Sequence, residues 1–238
     1  MNKDIIYGIN AIKNIIINKP EIIEVIYIQQ KIVNKKIKQL LEKAKYLNIN
    51  CLNLEKKIKG IENYPIICKI KVNNEPSIEK IKLNNKLILI LDEIKDPQNL
   101  GSCIRTAEAA NVDALIITKK NTTKQSPLIT EISCGSNLII PIINTDNIIN
   151  IIKYLKHKNI LIVGTSIDSN KTIYKENLTK PIALIIGSEE KGIKSIIKKN
   201  CDLILKIPIL GKCGSLNLSV TTGIILFEIQ RQKNIKIN

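Results

Sequence analysis

The sequence has no tryptophan, one phenylalanine and one histidine in 238 residues. With aromatics at 3%, a platform stacking several bases is excluded, so any nucleic-acid contact falls to charge and shape. The single histidine, His157 in "KYLKHKN", reads as part of a solvated helix face, which leaves no histidine to serve as general base. The six cysteines (Cys51, Cys68, Cys103, Cys134, Cys201 and Cys213) contain no CxxC pair, so no metal site is expected. No apolar run approaches the length of a membrane span. The N-terminus, "MNKDIIYGINAIKNIIINKP", has neither the apolar region nor the cleavage site of a signal peptide. These absences describe a soluble cytoplasmic protein with reduced thiols and no membrane partner.

Basic residues are abundant. Thirty-seven Lys and Arg against 21 Asp and Glu give a formal charge of +16 and a pI near 9.5. That balance points to a polyanionic partner, nucleic acid being the commonest. Heavy use of Lys, Asn and Ile is also what codon bias from an A·T-rich genome produces, so charge alone does not decide the matter. Hydrophobic residues make up 44% of the chain, enough to bury a sizeable core in two small domains or one large one.

The pattern falls into two parts. Residues 5–18 place Ile9, Ile12, Ile15 and Ile16 at helical spacing; "IIEVIYI" (22–28) reads as a strand, "NKKIKQLLEKAKYLN" (34–48) as an amphipathic helix and "IICKIKV" (66–72) as a strand. Lys35, Lys36, Lys38, Lys43 and Lys45 cluster on that helix. The polar, proline-containing stretch at 73–86 has no period and is the linker candidate, which divides the chain into domains at 1–74 and 86–238 with a linker at 75–85. Beyond it, "LILIL" (87–91), "ALIIT" (114–118), "ILIVG" (160–164), "IALIIG" (182–187) and "LILKIP" (203–208) alternate with helical segments. Near-continuous apolar runs fit strands buried on both faces, hence an α/β fold with a parallel sheet. Ligands in such folds sit beyond the carboxyl ends of the strands.

After the first run comes "DEIKDPQNLGSCIRTAEAANVD", in which Pro97 stops the strand. A helix is predicted over about 100–110, with Leu100, Cys103, Ile104 and Ala107 inward and Gly101, Arg105 and Glu108 on another face. Arg105 there either reaches a substrate or pairs with Glu108 or Glu93. After the fourth run, "GSEEKGI" (187–193) has two glycines five apart, but Glu189 and Glu190 would repel phosphate, which rules out a P-loop. No GxGxxG follows any run, so a dinucleotide site is unsupported. After the last run, "GKCGSLNLSV" (211–220) offers both Ser215 and Asn217 as helix caps where one suffices, leaving a polar group for a ligand.

Three strand-end motifs, "NLGSCIRT", "GSEEKG" and "IPILGKCGSLNLSVTTG", in this order and spacing resemble those of the SpoU (TrmH) 2′-O-ribose methyltransferases of the SPOUT superfamily. The similarity spans 87–232, and "IYGINAIKNII" resembles the opening of the family's L30e-like substrate-binding domain. The arrangement is nearest to members acting on a guanosine of 23S ribosomal RNA. The resemblance implies a C-terminal trefoil knot behind a small L30e-like domain, a homodimer, and S-adenosylmethionine held by backbone around Gly187, Ile207 and Leu216. It also implies a functional set of Asn99, Arg105, Glu189, Ser215 and Asn217.

A guanidinium keeps its proton near neutral pH, so Arg105 is read as a charge stabilising the developing alkoxide, with water or a substrate phosphate taking the proton. Asn99 and Ser215 orient the ribose, Glu189 holds Arg105 or an RNA group, Asn217 braces the knot, and Cys103 packs. Two segments depart from near relatives: Lys212, Cys213 and Gly214 replace small polar residues, and "IENYPIICKI" stands where they carry a His-Gln-Gly stretch. The rival readings are the same chemistry on transfer RNA and a non-catalytic RNA-binding or ribosome-assembly protein. A DNA-binding module lacks its helix-turn-helix.

Overall fold

A computed structural model describes residues 4–29, 34–54, 58–71, 76–83, 86–124 and 126–234. Parts of the expected linker, 75 and 84–85, lie outside the described residues. The strands are β1 (Ile5–Tyr7), β2 (Ile23–Ile28), β3 (Cys51–Asn53), β4 (Ile66–Ile70), β5 (Leu87–Leu91), β6 (Ala114–Thr118), β7 (Ile142–Thr145), β8 (Leu161–Thr165), β9 (Ile182–Ile186) and β10 (Leu203–Leu205). The α-helices are α1 (Ile9–Asn18), α2 (Lys35–Tyr46), α3 (Pro97–Ala109), α4 (Pro127–Ile132), α5 (Ser136–Ile139), α6 (Ile148–His157), α7 (Ser195–Lys198) and α8 (Leu218–Asn234). The chain forms two compact units, one of Met1–Asn74 with Gln125–Ile139, the other of Glu75–Lys124 with Ile140–Asn238.

The first unit is a four-stranded sheet in the order β1-β4-β2-β3, with β4 antiparallel to both neighbours and β3 parallel to β2. Ile12, Ile15, Ile26, Ile66 and Cys68 form its buried centre. The helix predicted over 5–18 is shorter than its apolar spacing implied. Ile5–Tyr7 is a strand, and Gly8 at φ 90° makes the break before α1. The Asn34 side chain accepts from the Lys36 N–H at 2.8 Å to cap α2. Burial of Ile37, Leu40 and Ala44 leaves the five α2 lysines exposed. The segment 125–139 belongs to this unit although it follows β6 in the chain. Tyr64 Oη donates to Glu131 Oε2 at 2.7 Å, Asn14 Nδ2 donates to Cys134 O at 3.1 Å, and Gly135 sits so close to the Ala11 carbonyl that a Cβ would stand 2.9 Å from it.

The second unit holds a six-stranded sheet, β10-β8-β9-β5-β6-β7, in which every pairing is parallel. All five β5 residues are fully buried, as expected where helices cover both faces; each Leu or Ile so placed contributes roughly 2 kcal/mol. The runs at 87–91 and 114–118 are strands β5 and β6 as read. β7 was not anticipated, because four residues after Pro141 are too few for a period. β10 stops at Leu205, with Lys206 keeping only an isolated bridge to Thr172.

Helix α3 begins three residues before the predicted start. Pro97 occupies its first turn, where a missing N–H costs nothing, and Asp96 Oδ1 caps it by accepting from the Gln98 N–H at 3.0 Å. Leu100, Cys103, Ile104 and Ala107 are buried as expected. Gly101, read on the face of Arg105 and Glu108, is buried too, while Arg105 is exposed. Cys103 Sγ meets Thr222 Oγ1 of α8 at 3.4 Å, and burial pushes its thiol up to about 12; it packs. His157 is exposed at the end of α6.

Because α4 and α5 belong to the first unit, a chain begun at residue 75 should leave their apolar faces uncovered. Such a fragment is expected to bind a hydrophobic dye and melt well below the full chain. An unchanged melting curve would contradict the division.

Candidate active site

A sheet with all strands parallel brings its carboxyl ends to one edge, and the loops there enclose a cavity of about 550 Å³. That volume suits a nucleoside-sized ligand. Its walls come from Thr165–Asp168 after β8, Ile186–Ile193 after β9, Leu205–Ile207 after β10, and Gly214–Leu218 leading into α8. Of the residues singled out in the sequence, Glu189, Ser215, Asn217, Gly187, Ile207 and Leu216 line it; Asn99 and Arg105, on α3, do not.

Asn99 is nonetheless tied to the wall. Its Nδ2 donates to Glu189 Oε1 at 3.0 Å, and its Oδ1 accepts from Asn217 Nδ2 at 3.0 Å. Asn217 works at both ends of its amide, since Oδ1 also accepts from the Ser219 N–H at 2.9 Å and the Ser219 hydroxyl at 2.6 Å. One side chain thus caps α8 and fixes Asn99 to the loop. The Ser215 hydroxyl makes no hydrogen bond among the described residues and is exposed at the cavity wall. The two polar groups at 215 and 217 therefore divide the work: Asn217 is the cap, and Ser215 is free.

Of the two partners expected for Glu189, Arg105 or an RNA group, the first is not the one it meets. Its carboxylate engages Asn99 and not Arg105. Arg105 is exposed and makes no ion pair among the described residues, while Glu93, once a candidate partner, accepts from Lys194 at 2.7 Å and from Asn121 at 3.1 Å. The turn at 188–192 closes on itself, with the Gly192 N–H donating to Ser188 O at 2.9 Å. Gly187 is required there because a Cβ would collide with the Gly192 carbonyl. The glycine spacing that mimicked a phosphate loop is thus a self-contained turn.

The residues after β8 were missed, although their place beyond a strand's carboxyl end was the signal. Ser166, Asp168, Lys198 and Lys206 also line the cavity, with Lys198 Nζ donating to Ser166 Oγ at 3.0 Å. Lys212, Cys213 and Gly214 are exposed, Gly214 lines the cavity, and Cys213 Sγ donates to Ser215 O at 3.0 Å. Among the described residues no group of three or more His, Cys, Asp or Glu is placed to hold a metal, and no helix is long and apolar enough to cross a membrane.

Loss of the cap in Asn217→Ala should cost about 1–2 kcal/mol, whereas Ser215→Ala should change stability by less than about 0.5 kcal/mol. Thermal melting of the two variants beside the wild type checks this, and equal losses would contradict the division of work.

The sequence profile of the SpoU rRNA Methylase family matches residues 86–227, and that for RNA 2'-O ribose methyltransferase substrate binding matches residues 5–59. The 23S rRNA (guanosine-2'-O-)-methyltransferase RlmB of Haemophilus influenzae is 35% identical over 239 residues, which cover 96% of this chain and 97% of that protein. The SpoU methyltransferase AviRb from Streptomyces viridochromogenes, solved in complex with the cofactor AdoMet, shares the fold with a TM-score of 0.80 at 19% identity over 96% of this chain and 90% of that one. The A. aeolicus TrmH/SpoU tRNA modifying enzyme is 33% identical with a TM-score of 0.58, over 66% of this chain and 79% of its own. With the methylase profile covering more than half of its length and a relative matching nearly all of it, the chain belongs to the SpoU rRNA methylase family.

Proposed function

We propose that this protein transfers a methyl group from S-adenosylmethionine to the 2′-hydroxyl of a guanosine in 23S ribosomal RNA. The observation that carries the reading is the match to the Haemophilus influenzae enzyme, which runs through both units and not the methylase region alone. The transfer-RNA enzyme of A. aeolicus matches only 66% of the chain, which favours the ribosomal substrate. The exposed lysines of α2 supply sequence-independent contacts to phosphate.

The cavity suits the methyl donor. Ile207 and Leu216 offer apolar surface to an adenine, the backbone at Gly187 lies in the wall, and Glu189, Glu190 and Asp168 face a ligand that carries a sulfonium. When bound, S-adenosylmethionine supplies a methyl group that leaves sulfur as its bond to the ribose oxygen forms. Ser215 and Asn99 orient the ribose, Ser215 through its free hydroxyl and Asn99 through the N–H that Glu189 leaves unused. The guanidinium of Arg105, in no ion pair among the described residues, stabilises the oxygen as its proton passes to water or a substrate phosphate. Asn217 braces the segment that carries Ile207 and Leu216, which on this reading is threaded as a trefoil knot. The partner in solution is a second copy of the chain, docked on α8, where Val220 and Phe227 (the only phenylalanine) are about half exposed at 49% and 51%. The protein works in the cytoplasm.

Calorimetry should show S-adenosylmethionine or S-adenosylhomocysteine binding, with no binding of NAD. Arg105→Lys keeps the charge but loses the planar fork, so single-turnover methylation should fall at least tenfold while cofactor affinity stays within twofold. Full activity in that variant would reduce Arg105 to a surface residue; tight NAD binding without response to the methyl donor would overturn the assignment.

A further inference from the structure

Lys194, just past the 188–193 turn, makes contacts that neither the cavity nor the Asn99 hydrogen bonds account for. Its Nζ lies 2.7 Å from Glu93 Oε1 and 3.9 Å from Asp92 Oδ2. Both acids directly follow β5. Asp92 is only 2% exposed, and its N–H extends the sheet pairing by donating to Ile186 O at 3.0 Å. Glu93 adopts φ 58°, a left-handed conformation that a residue with a side chain holds only under constraint. The constraint is visible: its N–H donates to Thr118 Oγ1 at 2.9 Å, and Oε1 accepts from Asn121 Nδ2 at 3.1 Å as well as from Lys194.

Adjacent carboxylates, one of them buried, are unfavourable without a cation. Burial raises the pKa of Asp92, and the charge of Lys194 and a hydrogen bond from Thr118 oppose that rise. Lys194 is the cation in contact with both acids.

The position of this cluster gives it a second consequence. From Asp92 the chain runs seven residues to Asn99, and from Lys194 it runs five residues back to Glu189. The partners that meet in the 3.0 Å Asn99–Glu189 hydrogen bond are therefore carried on two segments joined at their other ends by Lys194. A further link, Lys95 Nζ to Glu190 Oε2 at 3.4 Å, has side chains 60% and 71% exposed and contributes little by comparison.

We infer that Lys194 is a positioning residue for methyl transfer: its ion pairs with Asp92 and Glu93 hold the 188–193 turn where Glu189 orients the Asn99 amide. What Asn99 does rests on the methyltransferase reading above, but the placement is a property of the folded chain and can be read without turnover. The direct probe is the Asn99 side-chain amide resonance of ¹⁵N-labelled protein, identified by its loss in Asn99→Asp. Lys194→Ala should move it toward its position in Glu189→Ala, while Lys194→Arg should leave it in place. In single-turnover assays Lys194→Ala should slow methyl transfer tenfold or more with RNA half-saturation changed less than twofold, and Lys194→Arg should restore the rate. The neutral pair Asp92→Asn with Lys194→Met removes the buried charge, so it should recover the melting temperature but not the resonance position or the rate. An unmoved resonance in Lys194→Ala, or recovery of resonance and rate in the neutral pair, would overturn the inference. A wild-type chain that transfers no methyl group would instead sink the methyltransferase reading and leave the resonance to decide the role of Lys194.

Discussion

Strands that all run one way deliver every strand-to-loop transition of the second unit to the same edge of its sheet. The cavity, the turn after β9 and the cap of α8 all depend on that constraint. Strands that meet helices on both faces must be apolar along their whole length, which confines polar chemistry to the residues just past each strand. Glu189, Ser215, Asn217, Asp92 and Lys194 all lie in such loops or at their ends.

Within that edge, polar groups are shared rather than duplicated. The Asn217 amide caps a helix and fixes Asn99, the Asn99 amide joins α8 to the 188–193 turn, and Lys194 closes the same turn onto β5. Outside these bonds, among the described residues, stand the Ser215 hydroxyl in the cavity wall and the Arg105 guanidinium on α3. A hydroxyl in the cavity wall and an exposed cation on α3 are groups suited to orienting a neutral hydroxyl and to stabilising the anion it becomes.

Much of this was legible in the residues. The runs at 87–91 and 114–118 announce β5 and β6, and the surplus of polar groups in "GKCGSLNLSV" announces a cap beside a free side chain. What escaped was set by contacts distant in sequence. Ile5–Tyr7 has an apolar pattern that a helix would also accept, and only its pairing with β4 makes it a strand. The segment 125–139 shows nothing of its membership in the first unit, which depends on Tyr64, Asn14 and Ala11. Of the partners expected for Glu189, Arg105 or an RNA group, Arg105 does not meet it and Asn99 does, because charge predicts attraction but not reach. Pro97 signals the end of a strand in the sequence, yet with Asp96 before it the same residue opens a helix.

The most direct measurement is methylation by the wild-type protein of unmodified 23S ribosomal RNA and of total transfer RNA, with S-adenosylmethionine labelled in the methyl group and the modified nucleotide identified by mass spectrometry. The account predicts label in one 2′-O-methylguanosine of the 23S RNA and none in transfer RNA. Label confined to transfer RNA, or to a base carbon or nitrogen instead of the ribose, would contradict it.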